Sequence, residues 1–310
     1  MKIGVRELVL LLLLIGVIVI AGVLEPRFVT LRSQTLLASH LWELAIVAVP
    51  MLLIIMIGGI DLSVGAMVAL CSIVFGLSFE QGVPIPLGAA MAICAGLLLG
   101  SANGWFVAHL RVHPLIVTLA TMAAFRGIAE GISLARPISG YPQSFLDLSQ
   151  GNLAGIPVPM LLFAFLAVVA WFILAKLRIG RWIIAVGTQE TVARFSGIPV
   201  DRMKVALYAL SGAVCGLAAM LMVARNNTAK ADLGMGMELE AITAVVLGGA
   251  SIDGGKGKVL GLVLGLLLIH ETREFVSWHW RQNELNLIVM GILLIGALAI
   301  ERILKIKAGN

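Results

Sequence analysis

Ten apolar runs, separated by short polar or glycine-rich breaks, occupy residues 8–24, 41–57, 64–79, 85–108, 115–134, 158–175, 203–224, 239–250, 259–276 and 287–304. Most reach the roughly 17 to 25 residues that a membrane-spanning helix needs. The runs at 64–79 and 239–250 fall short, which predicts helices that are broken or lined partly by protein rather than lipid. The expected fold is an all-α polytopic membrane bundle of about ten transmembrane helices, some short or broken. A single membrane domain is expected over 1–310, with no soluble domain.

Polar residues that interrupt these runs are the candidate chemistry. Met56-Ile-Gly-Gly-Ile-Asp61-Leu-Ser63-Val-Gly65 places glycines and a carboxylate inside a long apolar stretch. An ionised Asp at mid-membrane costs roughly 2.5 to 3.5 kcal/mol on insertion scales, so it needs partners. Asp61 is expected to cap the next helix, with Ser63 beside it in the first turn, a role compatible with a broken helix at an inner gate. Thr118 and Thr121 share one helical face and suit hydrogen bonding to a neutral polyol in transit, although membrane threonines more often bond their own i−4 carbonyl. Asn226, Asn227, Asp232, Glu238 and Glu240 cluster before the short 239–250 run, where a solvated outer loop is expected. Carboxylates and amides placed there could also meet sugar hydroxyls. Leu247-Gly-Gly-Ala-Ser-Ile-Asp253-Gly-Gly255 echoes the break at Gly58-Gly59-Ile-Asp61 on the same expected side.

One basic segment, Arg178 to Arg202, carries its own helix start and stop signals. Thr188 suits an N-cap, Glu190 a first turn, Arg194 a last turn and Gly197 the C′ position, and Pro199 prevents continuation. The spacing predicts a helix over Gln189 to Ser196, only about 12 Å long, with Val192 and Phe195 forming a small apolar ridge. So short a helix must lie on other helices, on lipid or in a partner's groove.

Composition agrees with a membrane chain: 60% of residues are hydrophobic and 13% charged. With the N-terminus inside and all ten runs crossing, fourteen Lys and Arg fall inside and seven outside, leaving Arg126 within a span. This positive-inside bias puts both termini and the 178–202 loop in the cytoplasm. The net charge of +5 is therefore an orientation signal, and no nucleic-acid partner is expected. The first run, despite Lys2 and Arg6 ahead of it, is followed by Glu25-Pro26 where a cleavage site would want small residues, and is read as a retained helix. Cys71, Cys94 and Cys215 lack metal or disulfide spacing and are expected to be small buried hydrophobes, with no metal.

Catalytic motifs are missing. Gly254-Gly-Lys-Gly-Lys258 has no hydroxyl residue after either lysine and cannot complete a P-loop. His270-Glu271-Thr-Arg-Glu274 has Glu where a zincin needs its second His, and Gly249-Ala-Ser251-Ile-Asp253 misses the nucleophile elbow by its last residue. An enzyme is not expected. An ion-coupled secondary transporter, the alternative, would want several membrane-buried acids, for which Glu43, Asp61 and Glu130 are the candidates.

Four motifs in order resemble the permeases of bacterial carbohydrate ABC importers, the ribose, rhamnose and autoinducer-2 group. They are Gly58-Gly-Ile-Asp-Leu-Ser-Val-Gly65, Pro114-Leu-Ile-Val-Thr-Leu119, Gly180-Arg-Trp-Ile-Ile-Ala-Val-Gly187 running on to Ala193-Arg-Phe-Ser-Gly-Ile198, and Glu238-Leu-Glu-Ala-Ile242 followed by Val245-Val-Leu-Gly-Gly-Ala250. Gly187-Thr-Gln-Glu190 departs from the commoner Gly-Gly-Asn-Glu of that group. The resemblance implies a bacterial inner-membrane subunit working with a second permease subunit, cytoplasmic ATPase subunits that hold ATP and magnesium, and a periplasmic solute-binding protein. No cofactor is implied in this chain. It also implies that Thr188, Gln189, Glu190, Val192, Arg194 and Phe195 form the coupling helix, charge pairs giving register and the ridge giving affinity. Asp61, Ser63, Thr118, Thr121 and Glu240 are the candidates for the translocation path or gate.

Overall fold

The computed structural model describes residues 5–280 and some positions between 285 and 296. The chain forms α1 (Val5–Leu24), α2 (Leu31–Leu37), α3 (Leu41–Met56), α4 (Val64–Glu80), α5 (Ile85–Ala108), α6 (Pro114–Ser133) and α7 (Gln143–Gln150). It continues through α8 (Val158–Lys176), α9 (Arg178–Thr188), α10 (Glu190–Phe195), α11 (Val200–Asn226), α12 (Met237–Leu247) and α13 (Val259–Trp280). This is the expected all-α membrane bundle. Nine of the ten apolar runs are helices whose ends agree with the pattern to within four residues, and most of the run at 287–304 falls outside the described residues.

Among the described residues, six stretches are long and apolar enough to cross a membrane: α1, the continuous stretch Leu31–Met56, α5, α6, α8 and α11. As the pattern suggested, α4 has 17 residues and α12 only 11. At the centre stands α3, whose every residue but Trp42 is buried. By contrast α1, α5, α6 and α8 leave most of their apolar surface outward, as lipid-facing helices do.

Lipid tails are as apolar as leucine, so burial of oily surface cannot by itself hold such helices together; close packing of small residues must. Here α5 and α11 meet along Gly96, Gly100 and Gly104 on one helix and Tyr208, Gly212 and Gly216 on the other. A Cβ added at Gly96 would strike the Gly212 carbonyl, and one at Gly100 the Tyr208 carbonyl. A smaller version joins α12 to α13, where Gly248 abuts Gly261 and Ala244 abuts Gly265.

One expectation is overturned. The segment after α11 is not a solvated loop. Asn227 takes a left-handed conformation (φ 51°), Thr228–Ala229 pairs with Ile138–Ser139, and the chain then runs back into the bundle beside α4. Ser72 Oγ donates to the Lys230 carbonyl (3.2 Å), and Arg126 donates to the carbonyls of Ala231 (2.5 Å) and Leu233 (3.1 Å). Ala231 and Leu233 are buried. Non-helical backbone at membrane depth persists only where protein satisfies it, and the Arg126 guanidinium does so. Thus α12 starts inside the bundle. Cys94 also departs from expectation: Cys71 and Cys215 are buried, whereas Cys94 is exposed on the outward face of α5.

The glycine contact yields a prediction. Gly212→Leu should lower stability by about 3 kcal/mol or more, because both backbones would have to part. Gly127→Ala, with nothing within 4 Å, should be neutral or slightly stabilising. Thermal unfolding of the two variants in detergent compares them; equal melting temperatures would contradict the packing argument.

Candidate functional site

Three chain breaks converge at one end of the bundle. The α3 helix stops at Met56, and Gly58 turns the chain with φ 78°. Gly255, after α12, donates its N–H to the Met56 carbonyl (2.8 Å). Gly187, near the end of α9, lies against both groups, so closely that any Cβ there would collide. The two similar glycine breaks in the sequence therefore touch, and the α9–α10 unit touches both.

The basic loop is more ordered than its sequence signals suggested. It contains two helices, and the second is shorter than expected. Thr188 is not an N-cap: it ends α9, and its hydroxyl donates to the Ile184 carbonyl (2.8 Å). The direction changes instead at Gln189, which is extended (φ −159°, ψ 96°) and makes no side-chain cap bond. The reason is tertiary: Ile183, Val186 and Gly187 seat α9 on the bundle, while α10 is pinned separately to α11. Gly197 does follow the helix in a left-handed conformation (φ 81°).

Ion pairs make the pin. Arg194 donates bidentately to Asp201 in the first turn of α11 (2.6 and 2.7 Å) and also to Glu190 (3.1 Å); Lys204 donates to Glu190 (2.7 Å). Burial opposes ionisation of Glu190, but hydrogen bonds and charge from Lys204 and Arg194 hold its carboxyl below the ordinary value. Glu190 and Arg194 are thus engaged within the chain, where the sequence suggested charges offered outward. Outward from α10 stand Phe195, 89% exposed, and Val192, 53% exposed, with the Thr191 hydroxyl beside them, while Ala193 faces in.

A second cluster sits in the break between α3 and α4. Asp61 and Ser63 are fully buried. Asp61 Oδ1 accepts from the Ser63 N–H (3.0 Å) and hydroxyl (2.6 Å), and Oδ2 accepts from Ser211 of α11 (3.4 Å). Asn103 of α5 donates to Ser63 Oγ (2.8 Å). The N-cap position is Ser63 itself, so Asp61 braces the turn ahead of the helix rather than capping it. Thr118 and Tyr208 donate to the Ile60 carbonyl (3.2 and 3.3 Å) and tie the same turn to α6 and α11. Thr118 also donates to its i−4 carbonyl, Pro114, as Thr121 does to Val117. Glu240 lies elsewhere, on α12, gripped by Arg273 of α13 (2.6 Å). The structure therefore joins Asp61, Ser63 and Thr118 and separates Glu240 from them.

A model of the family described as branched-chain amino acid transport system, permease component, matches residues 36–298. The chain belongs to this family. Among its relatives are the autoinducer 2 import system permease proteins LsrD of Escherichia coli strain K12 and of Shigella flexneri. Each is 36% identical over 295 residues, covering 93% of this chain and 89% of the relative. No solved structure matches the chain.

Several residues of this permease were not foreseen. Asn103 lies in one apolar run and Tyr208 and Ser211 in another, and the packing of α5 and α11 around the turn brings them to Asp61. Lone polar residues at run positions near glycines were the available signal. Asp201 and Lys204 lay beyond the anticipated helix. The pinning pairs set a sign for pH dependence. The Glu190 carboxyl is depressed in the folded chain, so its stabilisation is present above the ordinary carboxylate range and fades as pH falls through the lowered value. With Cys94→Ala as background, a spin label at Val192→Cys should be immobile near neutral pH and loosen as pH falls below about 4. Asp201→Asn should already be loose at neutral pH; a label equally rigid in both would refute the pin.

Proposed function

We propose that the chain is the permease subunit of an ATP-driven importer that moves a sugar or sugar-like solute across the bacterial inner membrane by alternating access. Autoinducer 2 is the first solute to test, because the relatives' names specify its import. The observation that carries the coupling part is α10: a helix too short to stand alone, locked by ion pairs, with Phe195 turned to the outside. An exposed aromatic on a rigid mount suits an anchor in a partner's cleft. That partner is a cytoplasmic ATPase, whose ATP and magnesium supply the energy; the 178–202 segment and both termini are then cytoplasmic, in keeping with the positive-inside bias. A second permease subunit, a copy or a paralogue, and a periplasmic solute-binding protein complete the assembly.

Coupling follows from contact. Movement of α10 by the ATPase would reach Gly187 through α9, and Gly187 rests on the Met56 carbonyl and Gly255. It would also reach Asp61's turn through the Arg194–Asp201 pair and α11, which carries Tyr208 and Ser211. Both routes end on the break between α3 and α4, a natural hinge for an inner gate.

The ion-coupled alternative gains little support. Glu43 is buried but paired with Arg225 (2.7 Å), and Glu130 is exposed, leaving Asp61 as the one buried candidate of the three without an ion pair.

Phe195→Ala should leave ATP hydrolysis by the assembled complex running while cutting uptake at least tenfold, an anchor's contribution being about 2 kcal/mol or more. Uptake in proteoliposomes, measured beside ATP turnover, decides the matter. Uptake that persists without any ATPase and follows an ion gradient would overturn the proposal.

A further inference from the structure

At the end opposite the glycine junction the bundle opens into a cavity of about 310 Å³. That volume lies within the roughly 300 to 1,000 Å³ of small-molecule pockets. Its walls come from the first turn of α3, the last turn of α11, the re-entrant segment, and α12 and α13. Neither the family description nor the relatives' names assign it a role.

Two ion pairs build the polar side. Arg225 donates to Glu43 Oε1 (2.7 Å), and Arg273 grips Glu240 (2.6 Å). Glu43 is only 1% exposed, yet its Oε2 has no hydrogen-bond partner. A buried carboxylate oxygen left unmatched is costly and calls for a donor. Met222, Met235 and Met237 line the cavity too and give it an apolar wall. Gly234, also in the lining, touches Gly65 four residues beyond Asp61, so the re-entrant segment separates this cavity from the Asp61 cluster.

We infer that this cavity is the outer solute site, and that it takes a neutral, polyhydroxylated small molecule whose hydroxyl donates to Glu43. Charge selects the class. Three lining carboxylates (Glu43, Asp232 and Glu240) face two guanidiniums (Arg225 and Arg273) and the His40 ring; the guanidiniums are paired with Glu43 and Glu240 and His40 lies 3.6 Å from Glu274, so an anionic or phosphorylated solute finds no free cation among these groups. Carboxylates and guanidiniums in fixed pairs offer acceptors and donors to adjacent hydroxyls, while the methionines accept the apolar face of a ring. The inference rests on the import reading above.

Met235 is 70% exposed and lines the cavity, so it can carry a probe without disturbing the core. In the complete transporter, with Cys94→Ala as background, Met235→Cys is labelled from outside by a membrane-impermeant thiol reagent. Autoinducer 2 or D-ribose, at concentrations that saturate uptake, should slow labelling at least fivefold, and ribose 5-phosphate should not. Glu43→Gln, which still offers Arg225 an acceptor, should weaken that protection about tenfold. No labelling, no protection by either sugar, equal protection by the phosphate, or full protection in Glu43→Gln would each overturn the inference. Uptake by the Met235→Cys transporter before labelling is measured alongside. If ATP-driven uptake is present without protection, the site fails and the import reading stands; if no sugar is taken up at all, the import reading itself fails.

Discussion

Backbone contact between α5 and α11 is the constraint on which the working parts depend. Glycines at 96, 100 and 212 let the two helices approach until carbonyls nearly meet glycine Cα atoms. In lipid no hydrophobic force would otherwise favour that pair over any other. The approach carries Asn103 from one helix and Tyr208 and Ser211 from the other to the turn around Asp61. Without it the carboxylate would be left with Ser63 as its one hydroxyl donor. The same α11 begins with Asp201 and Lys204, which pin α10, and ends with Arg225, which holds Glu43. One helix therefore touches α10, the turn around Asp61 and the opposite cavity.

Rigid parts and weak points alternate along this path. The long helices are continuous, whereas the breaks at Gly58, Gly187 and Gly255 are backbone to backbone, with few side chains to interlock. Glycine allows both the left-handed turns at 58 and 255 and the close approach at 187, so the junction can be tight without being bulky. Such a joint transmits displacement while leaving room for the angle between elements to change. The Asp61 turn beside it is braced by hydrogen bonds to hydroxyls and backbone rather than by a salt bridge, an arrangement that can exchange partners at modest cost.

Much of the framework was legible in the chain. Run lengths located nine helices because a spanning helix must be long and apolar, and the two short runs marked α4 and α12 as exceptional for the same reason. The pairing of Asp61 with Ser63 was visible because the two are neighbours. The short helix α10 was found through local signals, but its start was misplaced. Thr188 has the chemistry of a cap, yet the hydroxyl bonds inside α9 because packing of Gly187 against Met56 extends that helix through it. The segment at 230–236 looked like a solvated loop because its polarity is ordinary for one; Ser72 and Arg126, each more than a hundred positions away, make its burial tolerable.

By itself, then, the sequence determined that this chain is a membrane bundle, where its helices lie, and that one short helix stands apart with an apolar ridge. These are consequences of local composition and spacing, which act over a few turns. Tertiary structure decided which polar residues meet, that Glu190 and Arg194 serve the chain's own fold, that Phe195 is left bare, and that a re-entrant segment floors a cavity with an unmatched Glu43 oxygen. Those outcomes depend on which helices touch, and helix contact in lipid is set by shape complementarity across the whole bundle rather than by anything a single stretch of sequence contains.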